Sequence, residues 1–387
     1  MEPPLQYFGT IESGLDLFDA MLCKDIDRPS ECMVHLWGAT GISTAMLCDI
    51  QVVAGGNQVL RPRVLFGVSD KGAIFPKAVP EEATQNFDTI RAYLTVNAAG
   101  SYTGHWTDAT GKGGEIKLAP ETVQHVTPTP CSTLQEFLSW AALMRQEHGA
   151  LWFRGHGSNE FPLATTLQRA GRNRLERYCV ETLQKFHRHA EAALNMRIDL
   201  NDGDDYAMLL GLAQHFGLPT PLLDWTASPY IAAFFAFSDA LENIKSRPGA
   251  KHVRIFALTE EFLANTTSDS VTLNYFRPYI SPLQVSFRNN ARLYAQQGSF
   301  TVTNHCNVVS LIRRHSGCRE VLFAADLPVC LTVEVLKELA FMGLTGATLF
   351  PGLDGVSRML RHEMAFGLPA SDTLTQAIED TSAGGAD

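Results

Sequence analysis

Long apolar runs are missing from this chain. No stretch approaches the roughly 18–20 residues that a membrane-spanning helix needs, so no membrane partner is expected. Met1-Glu2-Pro3-Pro4 lacks the basic start and apolar core of an export signal, and a cytoplasmic location is the expectation. The eight cysteines contain no C-x-x-C pair, and a chain of 387 residues does not depend on disulfides for a core; reduced, mostly buried thiols are expected. There is no G-x-G-x-x-G fingerprint, and Gly38-Ala39-Thr40-Gly41 lacks the Lys-Ser/Thr ending of a phosphate-binding loop. His and acidic residues such as His156, Glu160, His215 and Asp224 show no metal-ligand spacing, so no metal is assigned. Basic residues are outnumbered, 31 against 41, for a formal net charge of −10. That balance argues against an electrostatic grip on nucleic acid by the whole chain. No internal repeat is visible.

The composition, 45% hydrophobic and 19% charged, is that of a globular protein with length for two cores. Its basic residues are unevenly spread. Arg169, Arg172, Arg174, Arg177, Lys185, Arg188 and Arg197 form one group, and Arg277, Arg288, Arg292, Arg313, Arg314 and Arg319 another. A basic cleft meeting an unidentified protein or nucleic-acid target is one reading, and for the first group a solvated helical face is the other.

Residues 1–126 are expected to form a β-rich domain of unknown role. The apolar spacing in Gly14–Cys23 predicts a short amphipathic helix. Arg63–Gly67 and Ile90–Val96 read as strands. The glycine-broken aromatic stretch from Ala99 to Leu118 suits a hairpin in a small antiparallel sheet or partial barrel. Thr127-Pro128-Thr129-Pro130 reads as a linker (127–131), since alternate prolines disfavour both helix and central strand. A capping box at Ser132-Thr133-Leu134-Gln135 opens a second domain, 132–365. Its order predicts a mixed α/β (α+β) fold, with helices packed on a mixed sheet. A strand is expected at Leu151–Gly155, and helices at Tyr178–Ala193 and Tyr206–Phe216. Ser228-Pro229 caps a further helix running to Phe237. A strand at Val253–Leu258 and a helix at Val333–Met342 follow, and 366–387 reads as a flexible tail.

Four segments of the second domain stand out: Trp152-Phe153-Arg154-Gly155; Ala213–Thr226, reading AQHFGLPTPLLDWT; Gln296-Gln297-Gly298-Ser299-Phe300-Thr301; and Leu349-Phe350-Pro351-Gly352-Leu353-Asp354-Gly355. In identity and order they resemble the FRG family over about 230 residues. Pro221 stands where that family usually has Arg, so one basic side chain near a ligand is absent.

Read physically, Arg154 ends an apolar strand beside Gly155, which lets a backbone or ligand approach. Its guanidinium can fork onto a phosphate or carboxylate, or pair internally with Asp224. Thr226 and Ser228 precede a helix, whose positive end holds anions or simply needs a cap. Trp225 reads as core before ligand stack, and His215 as structural before ligand contact. Gln214, at a helix end, could contact a ligand; Gln296 and Gln297 precede the Gly298 turn, where such amides read a ribose or carboxamide edge or tie down a loop.

The series of strand–Arg–Gly, hydroxyl-bearing segment and Gln strand is also similar to the ADP-ribosyltransferase superfamily. That resemblance implies NAD as substrate, with Arg154 on its phosphates and Thr226 at its ribose. Gln297 would occupy the third catalytic place, or Glu320 would supply the negative charge that an oxocarbenium-like transition state needs. Gln297 departs from the superfamily's Glu there. The target would be protein, nucleic acid or water, and the resemblance suggests microbial defence or toxicity. A non-catalytic sensing module and a nuclease are the alternatives.

Overall fold

The computed structural model describes residues 4–367, except 40, 80–83, 85, 248, 265–271, 287–289 and 318; nearly all of the expected tail, 366–387, lies outside them.

Residues 6–119 form a closed antiparallel barrel. Its strands are β1 Gln6–Ser13, β2 Asp16–Asp25, β3 Arg28–Gly38, β4 Ser43–Val52, β5 Gln58–Val68, β6 Ile74–Lys77, β7 Arg91–Val96, β8 Tyr102–Thr107 and β9 Gly113–Ala119. They run in the order β4-β3-β2-β1-β9-β8-β7-β5-β6, and β4 also pairs with β5, closing a ring of eight with β6 outside it. Closure removes the exposed edges that a partial barrel would leave. The helix expected over Gly14–Cys23 is therefore a hairpin, with β1 paired to β2 from Gln6↔Cys23 to Ser13↔Asp16. Both faces of β2 need apolar residues: Ala20 and Leu22 join the barrel core, while Met21 and Cys23 join a cluster with Phe276 of the second domain. Two-sided burial makes a near-continuous apolar run, which imitates helical spacing.

The rest of the described chain is built on a seven-stranded mixed sheet in the order β10-β16-β13-β11-β12-β15-β14. Its strands are β10 Thr129–Pro130, β11 Ala150–His156, β12 Leu222–Thr226, β13 His252–Thr259, β14 Ile280–Leu283, β15 Gly298–Thr303 and β16 Leu322–Pro328. The expected linker contributes β10, paired in parallel to β16 at Thr129↔Ala325 and Pro130↔Asp326; proline fits there because the strand is at the sheet's edge. Helix α1 (Leu134–His148) is capped by Thr133, which accepts from the Glu136 N–H, one residue later than the Ser132 box. Helices α2 (Gly203–His215) and α3 (Pro229–Glu242) follow, α3 with Ser228 as cap and Pro229 in its first turn. Later come α4 (Ala291–Ala295), α5 (Val308–Ser316), α6 (Thr332–Phe341) and α7 (Leu353–Phe366). One core joins α1, α3 and α6 to β11, β13 and β16 around Phe137, Phe234, Phe237, Ile255 and Leu336. The described cysteines are all free thiols. No helix among the described residues is long and apolar enough to cross a membrane.

Barrel and sheet meet through a charged seam. Asp25, 1% exposed, accepts from the Asn173 and Arg174 N–H groups at 2.8 and 3.1 Å and pairs with Arg177 at 2.9 Å. Arg172 reaches Asp27 at 2.7 Å, and Arg174 binds Glu31 at 2.8 Å and Glu176 at 2.7 Å. The core of the first basic group is thus neither a solvated face nor an open cleft. In the second group, Arg314 pairs with Glu121, Arg313 with Gln124 and Arg319 with Glu261. Gln6 adds a buried clasp, donating to the Asn304 carbonyl and accepting from the Cys306 N–H, both at 2.7 Å.

Candidate functional site

Strands β11 and β12 are bonded at one position, Phe153↔Thr226, and part beyond it. A cavity of about 340 Å³ lies beside this divergence, walled by β11, the end of α2, β12, α3, α4, the start of β15, Phe350 and Arg358.

Arg154 spans the gap. Its Nη1 donates to the Asp224 carbonyl at 2.7 Å and meets the Asp224 carboxylate at 3.4 Å, while Nε donates to His156 Nε2 at 3.0 Å. The guanidinium is partly paired, with open space next to it. Burial, reinforced by Arg154 and Arg169, holds His156 well below the usual histidine range, so it stays neutral and accepts. Asp224 Oδ2 also accepts from Gln214 Nε2 at 2.7 Å, and Gln214 Oε1 accepts from Thr220. One hydrogen-bonded chain therefore joins the first two motifs, from Thr220 through Gln214 and Asp224 to Arg154. His215 lies on the cavity wall; burial, then the neighbouring Arg292, lowers its pKa.

Gly155 is among the residues lining the cavity, while the direction its Cβ would take is filled by protein. A Cβ there would sit 2.0 Å from the Ala232 carbonyl, so the missing side chain lets α3 press onto β11. Thr226 is 3% exposed, and its hydroxyl donates to the Gln296 carbonyl at 2.8 Å. Trp225 is core, its Nε1 donating to Thr301 at 3.0 Å. Ser228 caps α3 through the Ile231 N–H at 3.3 Å and is not among the cavity's lining residues.

The third motif is offset by one residue from the expectation. Gln296 lines the cavity and donates to the Leu349 carbonyl at 3.0 Å. Gln297 does not line it; this residue takes φ 46° in the turn before β15, and its carbonyl accepts from the Ala227 N–H at 3.1 Å. Glu320 is exposed ahead of β16, also away from the lining residues.

Four charged groups that lie outside the four motifs, Asp239, Glu242, Arg292 and Arg358, complete the wall. Asp239 and Glu242 extend from α3, at positions that share one helical face with Phe235, also on the wall. Glu242 is 3.3 Å from Arg358 and 3.7 Å from His362, while Asp239 holds Arg247 at 2.6 Å. Burial raises the Glu242 pKa, but His362, Arg358 and Arg361 outweigh it and leave the carboxyl below its usual range. Arg292 and Arg358 each lie 4.3 Å from the Phe350 ring centroid. Arg154 and Arg358 each have a carboxylate within 4 Å; among the described residues Arg292 has none, its guanidinium meeting the His215 carbonyl at 3.4 Å. The spacing 235, 239, 242 and membership of Arg292 in the second basic group were the available signals. No group of three His, Cys, Asp or Glu suited to a metal ion occurs among the described residues.

Residues 149–245, which contain Arg154, the second motif and α3, match the family model of the FRG domain. Searches of curated proteins and of solved structures returned no match.

Proposed function

Residues 149–245 of this chain are an FRG domain, and on that premise we propose that its cleft binds the phosphates of a nucleotide, with NAD as substrate and its nicotinamide–ribose bond as the reacting bond. The observation behind this reading is the convergence of three guanidinium groups and two α3 carboxylates on one 340 Å³ cavity. Arg292, lacking a carboxylate partner among the described residues, is the strongest phosphate ligand, because forming the complex breaks no ion pair. Arg154 would add a second contact beside it. The cavity lies within the ordinary size range of small-molecule sites, about 300–1,000 Å³.

In this reaction the bond from ribose C1′ to the nicotinamide nitrogen breaks, and nicotinamide leaves with the electron pair. A nucleophile from protein, nucleic acid or water then bonds C1′ and gives up its proton to solvent. Positive charge grows on the ribose, so a fixed carboxylate lowers the barrier. Glu242 is better suited than Gln297, which is uncharged, or Glu320, which is outside the wall. A role in microbial defence or toxicity belongs to the same reading.

Nicotinamide release by the full chain, with and without added RNA, DNA or protein, tests it. Release that falls at least tenfold in Arg292→Ala and in Glu242→Gln is expected. No release with any target, together with no binding of ADP-ribose, would overturn the reading. One observation favours a sensing role as a second reading: the barrel has an interior cavity of its own.

A further inference from the structure

We infer that the barrel is a binding site for one small, uncharged apolar molecule of about eight to ten carbon atoms, entering at the end where β1 turns into β2. This inference is independent of the reading of the cleft.

Strand alternation turns Phe18 and Leu22 of β2, Val34 and Leu36 of β3, Met46 and Cys48 of β4, and Leu60 of β5 toward the interior. Ala92, Leu94, Trp106, Ile116 and Leu118 complete the ring, and the space they line, open at one end, is about 230 Å³. Among the described residues its polar lining side chains are Ser13 and Thr44, with the Trp106 indole N–H already bonded to the Glu12 carbonyl at 2.6 Å. An eight-stranded barrel is just wide enough to be filled by its own side chains or to hold one small ligand. Here Ala92 is the smallest side chain of the lining.

The two ends differ. At one, Lys24 donates to Tyr102 at 2.6 Å and to Gln58 at 3.0 Å and lies over the Tyr7 and Tyr102 rings, sealing the floor with a satisfied polar plug. Above it Leu22, Leu60, Leu94 and Leu118 are at most 4% exposed. Toward the other end Ile11, Phe18, Leu36 and Ala92 are half-buried, and Ile42 is 56% exposed. This gradient of exposure runs along the barrel axis and marks the mouth.

An apolar cavity of about 150 Å³ stays dry and takes up benzene, and the energetic cost of leaving such a space empty grows with its volume. At the packing density of protein interiors, 230 Å³ corresponds to about eight to ten methylene groups. A charged group has no counter-charge among the lining side chains, so any polar end of the ligand must stay at the mouth.

The test is calorimetric titration of the full chain with a series of 1-alkanols from hexanol to dodecanol. Affinity should rise about fourfold per added methylene, then level off near ten carbons when the cavity is full, with a negative heat-capacity change. Ala92→Phe should lose at least tenfold in affinity, and Phe18→Ala should move the plateau to longer chains. Circular dichroism checks that both variants are folded, and the wild-type length series stands without them. No saturable binding by any alkanol, or a length dependence without a plateau, would overturn the inference.

Discussion

Asp25 offers the sharpest test of how barrel and sheet are held together. Its carboxylate is 1% exposed and accepts three hydrogen bonds, from two backbone N–H groups and from Arg177. Replacing it with alanine strands the Asn173 and Arg174 N–H groups and removes one of the Arg177 carboxylates. Each charge-assisted bond contributes roughly 1.5 kcal/mol net, about 4–5 kcal/mol for the three. Arg177 keeps Asp27 at 2.7 Å and Glu181 at 3.0 Å, which returns part of that. A loss of about 3–4 kcal/mol is therefore expected for Asp25→Ala, in line with breaking buried pairs elsewhere. Urea denaturation followed by tryptophan fluorescence measures it. Asp27→Ala is the control: its carboxylate is 36% exposed, and the cost should stay below about 1 kcal/mol. Equal effects from the two, or an Asp25 loss under about 1 kcal/mol, would refute the account of the seam.

Three further outcomes follow from the geometry. Gly155→Ala should cost about 3 kcal/mol, because its new methyl would meet the Ala232 carbonyl; an unchanged melting curve would contradict this close approach of α3 to β11. Burial lowers the pKa of His35 to about 4, so the unfolded chain binds a proton there from about pH 6.5 downward while the folded one does not. Stability contributed by a neutral His35 thus falls as pH drops from about 6.5 to 4, and His35→Gln should make the loss between pH 7 and pH 5 smaller by about 2 kcal/mol. Equal losses in the two proteins would contradict this. Arg154→Ala should weaken ADP-ribose binding by less than Arg292→Ala does, since Arg154 is already half engaged by Asp224; competition titration compares them.

Local signals in the sequence were legible where one rule acts alone. Ser228-Pro229 identified the start of α3, and the glycine-broken aromatics identified the hairpin that became β8 and β9. The second motif was readable because Gln214, Thr220 and Asp224 form a single hydrogen-bonded unit with Arg154. Reading failed where a residue answers to two neighbours at once. Met21 and Cys23 are apolar because the barrel's outer wall is buried, so β2 carried a helical pattern. Ring closure depends on β4 meeting β5 from Val52↔Gln58 to Ala45↔Phe66, and strand pairing has no single-position signature. The site was incomplete for a related reason. Arg292, Asp239 and Glu242 lie outside the four motifs, and the cavity assembles them from separate elements. Gln296 rather than Gln297 faces inward because the turn before β15 has positive φ at Gln297.

Calorimetric titration of ADP-ribose into the full chain, the Arg292→Ala variant and the Ala92→Phe variant tests the FRG cleft most directly. Saturable binding is expected in the wild type, weakened at least tenfold by Arg292→Ala and left unchanged by the substitution in the barrel. Equal binding by wild type and Arg292→Ala, or no binding by either, would contradict the cleft's role as an anion site.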